Sequence, residues 1–382
     1  MSWSLVAEIA FWMMLFLIFW TYFGYYFFLK FISLFRDIEV KKADYFPEVS
    51  LIITAYNEEI NIADKIENSL DQNYPPDKLK VIVASDGSDD KTLEIASRYE
   101  PRGIEAFECC SHQGKHFCQG EAIKKSTGEI IILTDVSTML SKNAVKTIVS
   151  NFNDSTIGCV SGMDQIPQSE VTVSGEFAYV GYEMGLRSLE SKVNSLIGAS
   201  GSFYAVRKIL CTDWRNELSN DFYMPIVARM RGLRTVLDQN ATGYYDVAPK
   251  AGEEFQRKVR TIVHGIEALF AFKQILNPFK YGFFSFQMFS HKLLRWLVPF
   301  LLIITFVLNV FLFHNHPFYK FLLSAQIILS FCAVMACIIY RLRDFRPFRI
   351  PYFFSLANVS IMVAWYKFFT GERYRIWNVT QR

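Results

Sequence analysis

The stretch Ile-Ile-Ile-Leu-Thr-Asp-Val-Ser-Thr at residues 130–138 decides the fold of this chain. Its four consecutive large aliphatic residues follow the turn pair Gly128-Glu129, and such a run is typical of a strand buried on both faces of a parallel sheet. Asp135 stands where this strand ends. Because ligands of open α/β sheets bind beyond the carboxyl ends of the strands, the Asp135 carboxylate is a candidate binding group. The alternative is an Asp that caps the following helix.

Two earlier apolar runs end in the same way. Residues 49–55 and 80–85 predict buried strands, with a helix that ends near Leu70 between them. The first strand is followed by Tyr56-Asn57-Glu58-Glu59 and the second by Asp86-Gly87-Ser88-Asp89-Asp90. Alternating strands and helices imply right-handed crossovers and a mostly parallel α/β sheet, so the three polar ends are expected to share one crevice. For each end taken singly, ordinary turn chemistry is the alternative.

The composition is that of a membrane protein. Hydrophobic residues make up 51% of the 382 residues, and the 36 Phe residues are concentrated at the two ends of the chain. Residues 40–276 have ordinary globular patterning. The formal net charge of +3 is too small to indicate a nucleic-acid partner, so we expect none. Basic residues beside the hydrophobic blocks are typical of membrane flanks.

Residues 5–29 are apolar enough for a membrane-spanning helix, and without a basic leader or cleavage site they predict an uncleaved anchor. Basic residues follow this run, which places the next domain in the cytoplasm and the N-terminus outside. Residues 293–313 and 321–340 also predict spans, whereas residues 352–369 are shorter and are expected to be re-entrant or tilted. We therefore predict an anchor at residues 1–32, a cytosolic domain at 33–275 and a membrane region at 276–382 of a plasma (inner) membrane protein.

The cysteines predict a reduced domain. Seven are present, and the adjacent pair Cys109-Cys110 gives neither a zinc-site spacing nor a disulfide framework. A cytosolic location agrees with reduced thiols.

Five motifs in order resemble a known family. They are VSLIITAYNE at residues 49–58, ASDGSDD at 84–90, Gly114-Lys115, Thr134-Asp135 and Asn220-Asp221. This order is similar to that of family-2 glycosyltransferases, in particular the membrane-embedded branch that includes cellulose, chitin and hyaluronan synthases. The resemblance implies a GT-A nucleotide-sugar fold, a UDP-sugar donor, a divalent metal (Mg²⁺ or Mn²⁺) and inversion at the anomeric carbon.

The resemblance also assigns the donor site. A nucleotide sugar presents a base, a ribose diol and a charged pyrophosphate, which need stacking surface, acceptors and cations. By the family pattern Ala55, Tyr56, Glu58 and Asp86 hold the nucleoside, and Lys115 matches the Gly-Lys beside the donor. A solvated surface residue is the alternative for Lys115.

The metal motif departs from the family. The expected Asp-x-Asp is Asp135-Val136-Ser137 here, so a hydroxyl replaces the second carboxylate. Magnesium and manganese accept few protein oxygens and complete their coordination with water and substrate phosphates, so Asp135 alone is assigned to the metal.

The acceptor side carries a second set of motifs. The resemblance makes Asp221 the catalytic base, with Asn220 in place of the Glu of the family's Glu-Asp pair. The small-residue sequence Gly-Ala-Ser-Gly-Ser at residues 198–202 matches a family segment near the sugar. A helix cap for Asp221 and simple turn formation for residues 198–202 remain alternatives.

Residues 253–276 predict an amphipathic helix with a basic face. Arg257 and Arg260 resemble a weakened Gln-Arg-x-Arg-Trp motif that binds the departing UDP, with Thr261 in place of Trp. An interfacial membrane helix would be basic without any such role.

Together these features predict an integral membrane inverting glycosyltransferase that moves a sugar from a UDP-sugar to a lipid-linked or growing glycan acceptor, in the company of polysaccharide-assembly proteins. The alternatives are a single-addition enzyme of the ceramide or polyprenyl-phosphate type, and an inactive nucleotide-sugar-binding scaffold of a polysaccharide export complex.

Overall fold

The computed structural model describes residues 3–109, 111–165, 174–245, 251–372 and 374. The chain forms two compact units. The terminal-helix unit contains residues 1–31, 251–263 and 285–372, and the sheet unit contains residues 32–250, 264–284 and 373–382.

One eight-stranded sheet forms the centre of the sheet unit. In chain order its strands are β1 (Val49–Ala55), β2 (Leu79–Ser85), β3 (Glu105–Glu108), β4 (Ile130–Asp135), β5 (Thr138–Leu140), β6 (Ile157–Gln165), β7 (Phe203–Arg207) and β8 (Arg234–Tyr245). Their spatial order is β3-β2-β1-β4-β7-β6-β8-β5. The pairs β1–β2, β1–β4, β2–β3 and β6–β8 are parallel, and the pairs that involve β5 or β7 are antiparallel. The predicted mostly parallel sheet is confirmed.

The helices of the described residues are, in chain order, α1 (Trp3–Phe19), α2 (Tyr25–Ile32), α3 (Ile62–Leu70), α4 (Thr92–Ser97), α5 (Lys115–Lys125), α6 (Ala144–Ser150), α7 (Ser174–Val193), α8 (Asn220–Met230), α9 (Ala251–Ala271), α10 (Pro278–Tyr281), α11 (Phe283–Gln287), α12 (Leu294–Leu312), α13 (Pro317–Ile338) and α14 (Arg346–Thr370).

Strands β1 and β4 are buried on both faces, as their uninterrupted apolar sequences predict. All seven residues of β1 are buried, and Ile130, Ile131 and Ile132 of β4 are fully enclosed. Shortening a side chain in such a closely packed core is destabilising, because the cavity left behind collapses only in part. Ile132→Ala would destabilise the fold by about 2–5 kcal/mol.

The register of the central strands brings their carboxyl ends to one edge. Ala55 of β1 lies beside Ser85 of β2, and Thr54 lies beside Asp135 of β4. The residues that follow these strands therefore emerge next to one another, which is the arrangement that positions the candidate site.

In the part of the chain that the structure describes, four helical segments are long and apolar enough to span a membrane: Trp3–Ile32, Phe283–Leu312, Pro317–Ile338 and Arg346–Thr370. The predicted terminal membrane helices are thus confirmed at this level. The last helix is longer than the sequence pattern of residues 352–369 predicted, because it begins at Arg346 within the basic stretch. Large apolar side chains such as Phe311 and Phe331 are exposed, as lipid-facing positions require.

Candidate active site

The loops after β1 and β2 are tied to each other. The Asp86 amide donates to the Ala55 carbonyl oxygen at 2.8 Å. Beyond them, the Asn57 amide donates to Ser88 Oγ (3.1 Å) and the Asp89 amide donates to Asn57 Oδ1 (2.9 Å). Asn57 has φ 52°, a left-handed conformation that Asn tolerates better than most residues. The two predicted donor motifs are therefore one hydrogen-bonded structure.

The Asp86 carboxylate is enclosed by the loop at residues 111–115. Asp86 is 1% exposed; its Oδ1 accepts from the Gln113 amide (3.0 Å) and its Oδ2 from the Gly114 amide (2.9 Å). Close approach of this loop requires glycine at position 87, where a Cβ would lie 2.6 Å from the His112 nitrogen. Burial raises the pKa of the Asp86 carboxyl above its usual value, and the Gln113 amide opposes that rise.

Tyr56 provides a stacking surface at the same edge. Its ring stacks on His112 with centroids 3.8 Å apart and planes 13° apart. Both the backbone and the side chain of Glu58 are hydrogen-bonded: its amide donates to Thr92 Oγ1 (2.8 Å), and its Oε2 accepts from Asn61 Nδ2 (3.0 Å). The predicted donor residues thus lie together, and His112 joins them as a residue that the sequence motifs did not assign.

A disulfide closes the loop that holds Asp86. Cys109, at the end of β3, is bonded to Cys118 of α5, with Cα atoms 6.0 Å apart. The prediction that the chain has no disulfide is therefore wrong for this pair. The spacing of Cys109 and Cys118 in the sequence does not predict this bond, because only the fold brings the end of β3 to the first turn of α5. Cys110 lies outside the described residues.

Lys115 connects the donor loops to the end of β4. Its ammonium forms an ion pair with Asp135 Oδ1 and donates to the Gly201 carbonyl oxygen at 3.0 Å. Both partners of the ion pair are mostly buried, with side chains 17% and 22% exposed, so water screens their attraction less than it would at the surface. The prediction that Lys115 and Asp135 share one site agrees with this geometry.

Asp135 is the candidate metal ligand at the end of β4. Its Oδ1 is buried and forms the ion pair with the Lys115 ammonium, so a divalent cation would compete with that ammonium for it. Ser137 follows in the turn at residues 136–137, where the family has its second carboxylate. Within the described ranges no group of three or more His, Cys, Asp or Glu could hold a metal. One carboxylate with Ser137 beside it is a donor set that a hard cation can complete with substrate phosphates, and the assignment of a metal to Asp135 stays a prediction.

Asp221 lies in the first turn of α8, which begins at Asn220, so it is not the helix cap. Ser219 Oγ donates to its carboxylate, and the Ala199 amide donates to its carbonyl oxygen at 2.8 Å. A Cβ at position 201 would lie 3.2 Å from Asp221 Oδ2, so Gly201 lets the backbone pass close to the carboxylate.

The segment at residues 198–202 links these charged groups. The Lys115 ammonium donates to its Gly201 carbonyl, the Asp135 amide donates to its Ser202 carbonyl at 3.1 Å, and Asp221 packs on Gly201. The segment is anchored by Asp164, whose Oδ1 accepts from the hydroxyls of Ser200 (2.7 Å) and Ser202 (2.6 Å). Burial raises the pKa of the Asp164 carboxyl.

Asn220, which replaces the family Glu, belongs to a buried polar network. Its Oδ1 accepts from the Tyr204 hydroxyl (2.7 Å), and its Nδ2 donates to His116 Nδ1 (2.9 Å). Burial lowers the pKa of His116 to about 4, so the ring is neutral and can accept at Nδ1. Nδ2 also donates to Gln119 Oε1, so the two donors and the acceptor of the amide all match neutral partners.

Arg257 and Arg260 lie on α9, in the part that belongs to the terminal-helix unit. Arg257 is exposed and Arg260 is half-buried. Their assignment to the donor stays a prediction.

Comparison with known proteins agrees with this geometry. A family model described as glycosyltransferase like family 2 matches residues 47–263. A mannosyltransferase from Pyrobaculum calidifontis, solved in complex with GDP-Man and Mn²⁺, is similar with a TM-score of 0.73 and 21% identity, covering 96% of this chain and 100% of its own. At that identity the likeness shows the GT-A fold alone.

Two curated relatives are similar over shorter segments. A beta-monoglucosyldiacylglycerol synthase from Trichormus variabilis is 23% identical over 184 residues, which are 46% of this chain and 39% of the relative. A hyaluronan synthase from Streptococcus pyogenes is 21% identical over 185 residues, 46% of this chain and 43% of the relative. The chain thus spans less than half the length of either relative.

Proposed function

The chain belongs to the glycosyltransferase-like family 2, and on that premise we propose that it is an inverting enzyme that moves a sugar from a UDP-sugar to a lipid-linked or growing glycan acceptor. One observation carries the proposal: the Lys115 ammonium, the Asp135 backbone amide and the Asp221 carboxylate all contact the segment at residues 198–202, and the same ammonium pairs with the Asp135 carboxylate. A cation, a metal-binding carboxylate and a separate carboxylate around one small-residue segment are the groups that sugar transfer requires.

Asp86 supports uracil as the base. Both of its carboxylate oxygens already accept from the amides of Gln113 and Gly114, and the side chain is buried. Guanine offers a carboxylate two adjacent donors, whereas uracil offers one through N3. An almost enclosed carboxylate with its oxygens already engaged suits the single donor better. The stacked rings of Tyr56 and His112 supply the apolar surface for the base.

The leaving group needs positive charge. As the bond between the anomeric carbon and the diphosphate oxygen breaks, negative charge grows on the departing UDP. Lys115 is placed to receive that charge beside Asp135, and Arg257 and Arg260 are proposed as further cations. A divalent ion held by Asp135 would neutralise the pyrophosphate, which is the chemistry that Mg²⁺ or Mn²⁺ supplies when bound.

The acceptor hydroxyl loses its proton as its oxygen attacks the anomeric carbon from the face opposite UDP. We assign that proton to the Asp221 carboxylate, because Asp135 is engaged with Lys115. Asp221 lies in the first turn of α8, with its carboxylate beside Gly201.

The membrane supplies the acceptor in this proposal. Four candidate spans keep the enzyme in a lipid phase, and the basic residues after the first one support a cytosolic catalytic domain at the plasma (inner) membrane. Thr261 offers no ring on which a growing chain could stack, so one or a few additions are expected per acceptor.

The test is sugar transfer by the full-length protein in detergent. UDP-sugars and GDP-sugars are compared for nucleotide release and for transfer to membrane lipid extract, with Mn²⁺ or with EDTA. We expect release from a UDP-sugar that needs both the metal and the extract. Binding of UDP without any transfer would favour the scaffold alternative, and failure to bind UDP would overturn the proposal.

A further inference from the structure

A lysine without solvent contact lies under the candidate metal carboxylate. Lys65 of α3 is 0% exposed. Lysine side chains are almost never fully buried unless paired, because removing an ammonium from water is costly. It lies on the apolar side of α3, between Ile62 and Ile66, where the helical pattern alone calls for an aliphatic residue.

The Lys65 ammonium bridges the two sides of the turn that follows β4. It donates to Thr134 Oγ1 at 3.0 Å and to the Thr138 carbonyl oxygen. Thr134 immediately precedes Asp135, and Thr138 begins β5. One cation thus fixes the strand end before the carboxylate and the strand start after it.

The same helix holds β5 at a second point. Asn68 Nδ2 donates to the Leu140 carbonyl oxygen, and the Leu140 amide donates to Asn68 Oδ1, both at 2.8 Å. Lys65 and Asn68 lie three residues apart on α3 and so share a face. Both ends of the turn that carries Asp135, and the strand β5 after it, are therefore hydrogen-bonded to α3.

The charge of Lys65 is balanced by Asp135. Burial lowers the pKa of the Lys65 ammonium to about 7, and the negative charge of Asp135 opposes that fall. The described side chain of Asp135 thus stands between two lysines, with Lys115 in direct ion contact and Lys65 behind the turn.

We propose that Lys65 is a positioning residue for the metal and the donor diphosphate, because its hydrogen bonds to Thr134 and Thr138 fix the turn that aims Asp135. This inference rests on the proposed function. In a site with one carboxylate, the aim of that carboxylate decides how strongly a cation couples to the bound nucleotide. Residues that orient a metal ligand typically change metal affinity by about 10- to 100-fold when removed.

The experiment measures the coupling between metal and nucleotide. UDP affinity of the full-length protein is determined by calorimetry with EDTA and with saturating Mn²⁺, and the ratio of the two affinities is the coupling factor. Lys65→Met keeps the length of the side chain and removes its charge and donors. We expect it to lower the coupling factor about 10-fold or more while UDP affinity in EDTA is unchanged. Asp135→Asn removes the candidate metal carboxylate and therefore shows the coupling factor that remains when the metal contribution is lost.

Two further variants keep the result decisive. Thr134→Val removes one acceptor and leaves Lys65 in place, so it decides the matter if Lys65→Met does not fold; a smaller fall in coupling is expected. Lys124→Met removes a surface lysine that pairs with Glu121 and should leave the coupling unchanged. A wild-type coupling factor in the folded Lys65 variant, or an equal loss of UDP affinity in EDTA, overturns the inference. No UDP binding by the wild-type protein would overturn the proposed function itself.

Discussion

The donor side and the transfer side of the site are built in different ways. On the donor side, Ala55 ends β1, and Tyr56 and Asp86 directly follow β1 and β2, two strands that the sequence predicts. The Asp86 amide bonds to the Ala55 carbonyl oxygen, and Tyr56 stacks on His112. On the transfer side, Lys115, Asp135 and Asp221 come from distant parts of the chain and are connected through the backbone of residues 198–202. A motif thus builds the first side, and tertiary packing builds the second.

This difference predicts separate effects on nucleotide affinity and on turnover. Changes on the donor side should alter nucleotide affinity with little effect on the turnover of bound donor. Changes on the transfer side should lower turnover and spare nucleotide affinity, since in the proposed function the groups there act on the breaking and forming bonds. The predictions below test that division, beginning with the largest effect.

Asp221→Asn should give the largest loss. General-base catalysis contributes about 10²–10⁴-fold, so transfer should fall within that range while UDP affinity is retained. Sugar transfer and UDP binding are measured on the same preparation. Ser219→Ala, which removes only the hydroxyl that donates to the Asp221 carboxylate, is the matched control and should cost less. Wild-type transfer by Asp221→Asn would make this residue structural.

Lys115→Met should follow. Removing one preorganised group that stabilises transition-state charge costs about 10²–10³-fold in turnover. The variant also releases Asp135 from its ion pair, so the concentration of Mn²⁺ needed for half-maximal rate should fall rather than rise. Lys124→Met removes the same charge from the exposed end of α5 and serves as the control. A rise in the metal requirement would contradict competition between Lys115 and the metal for Asp135.

Asp86→Asn should act on binding. A hydrogen bond to a charged group contributes about 1.5–3 kcal/mol, so the KM for the donor should rise at least tenfold with kcat preserved. A fall in kcat with unchanged KM would break the division between the two sides.

The pH dependence of donor binding provides a second test of Asp86. Burial raises the pKa of this carboxyl, so it protonates at a higher pH than an ordinary Asp, and donor affinity should decline there as the pH falls. The same raised pKa means that protonation of Asp86 favours the folded state, so this group does not unfold the protein in that window. Far-ultraviolet circular dichroism recorded alongside the binding titration separates the two.

Loss of the disulfide should have the smallest effect. Cys118→Ser leaves Asp86 and its amide partners in place and only frees the loop that carries them, so donor affinity should fall less than in Asp86→Asn. Dithiothreitol should reproduce that fall in the wild-type protein. Cys159→Ser, at a buried free cysteine, controls for loss of a thiol. A reductant effect as large as that of Asp86→Asn would show that the disulfide itself organises the donor site.

Sequence patterns predicted the parts of this site that depend on local structure. The aliphatic runs of β1, β2 and β4 are long enough to predict buried strands, and the rule that strand ends face a crevice then places Asp86 and Asp135. Strands β3, β5, β7 and β8 were not predicted. β3 is only partly buried, β5 has three residues, and β8 carries Asp238, Asn240 and Gly243 within its length.

The rest depended on contacts that no local pattern contains. Gly201 is a turn residue by sequence, and only the fold brings it against Asp221. The disulfide was missed because the spacing of Cys109 and Cys118 matches no recognisable pattern, and only the fold of the loop that holds Asp86 brings them together. Lys65 did leave a signal, since a lysine on the apolar stripe of a helix needs a buried partner.

The contact between Tyr374 and His264 limits how many times the chain between them can cross a membrane. The carbonyl oxygen of Tyr374 lies 2.9 Å from His264 Nε2, and both residues belong to the sheet unit. Between them the chain runs through three candidate spans, Phe283–Leu312, Pro317–Ile338 and Arg346–Thr370. If both residues lie on one side of a bilayer, the chain between them crosses it an even number of times, so we expect one of the three not to cross completely. Arg346–Thr370 is the least apolar of them, and a cysteine introduced at Gln381 should therefore react only with reagents on the side of the catalytic domain.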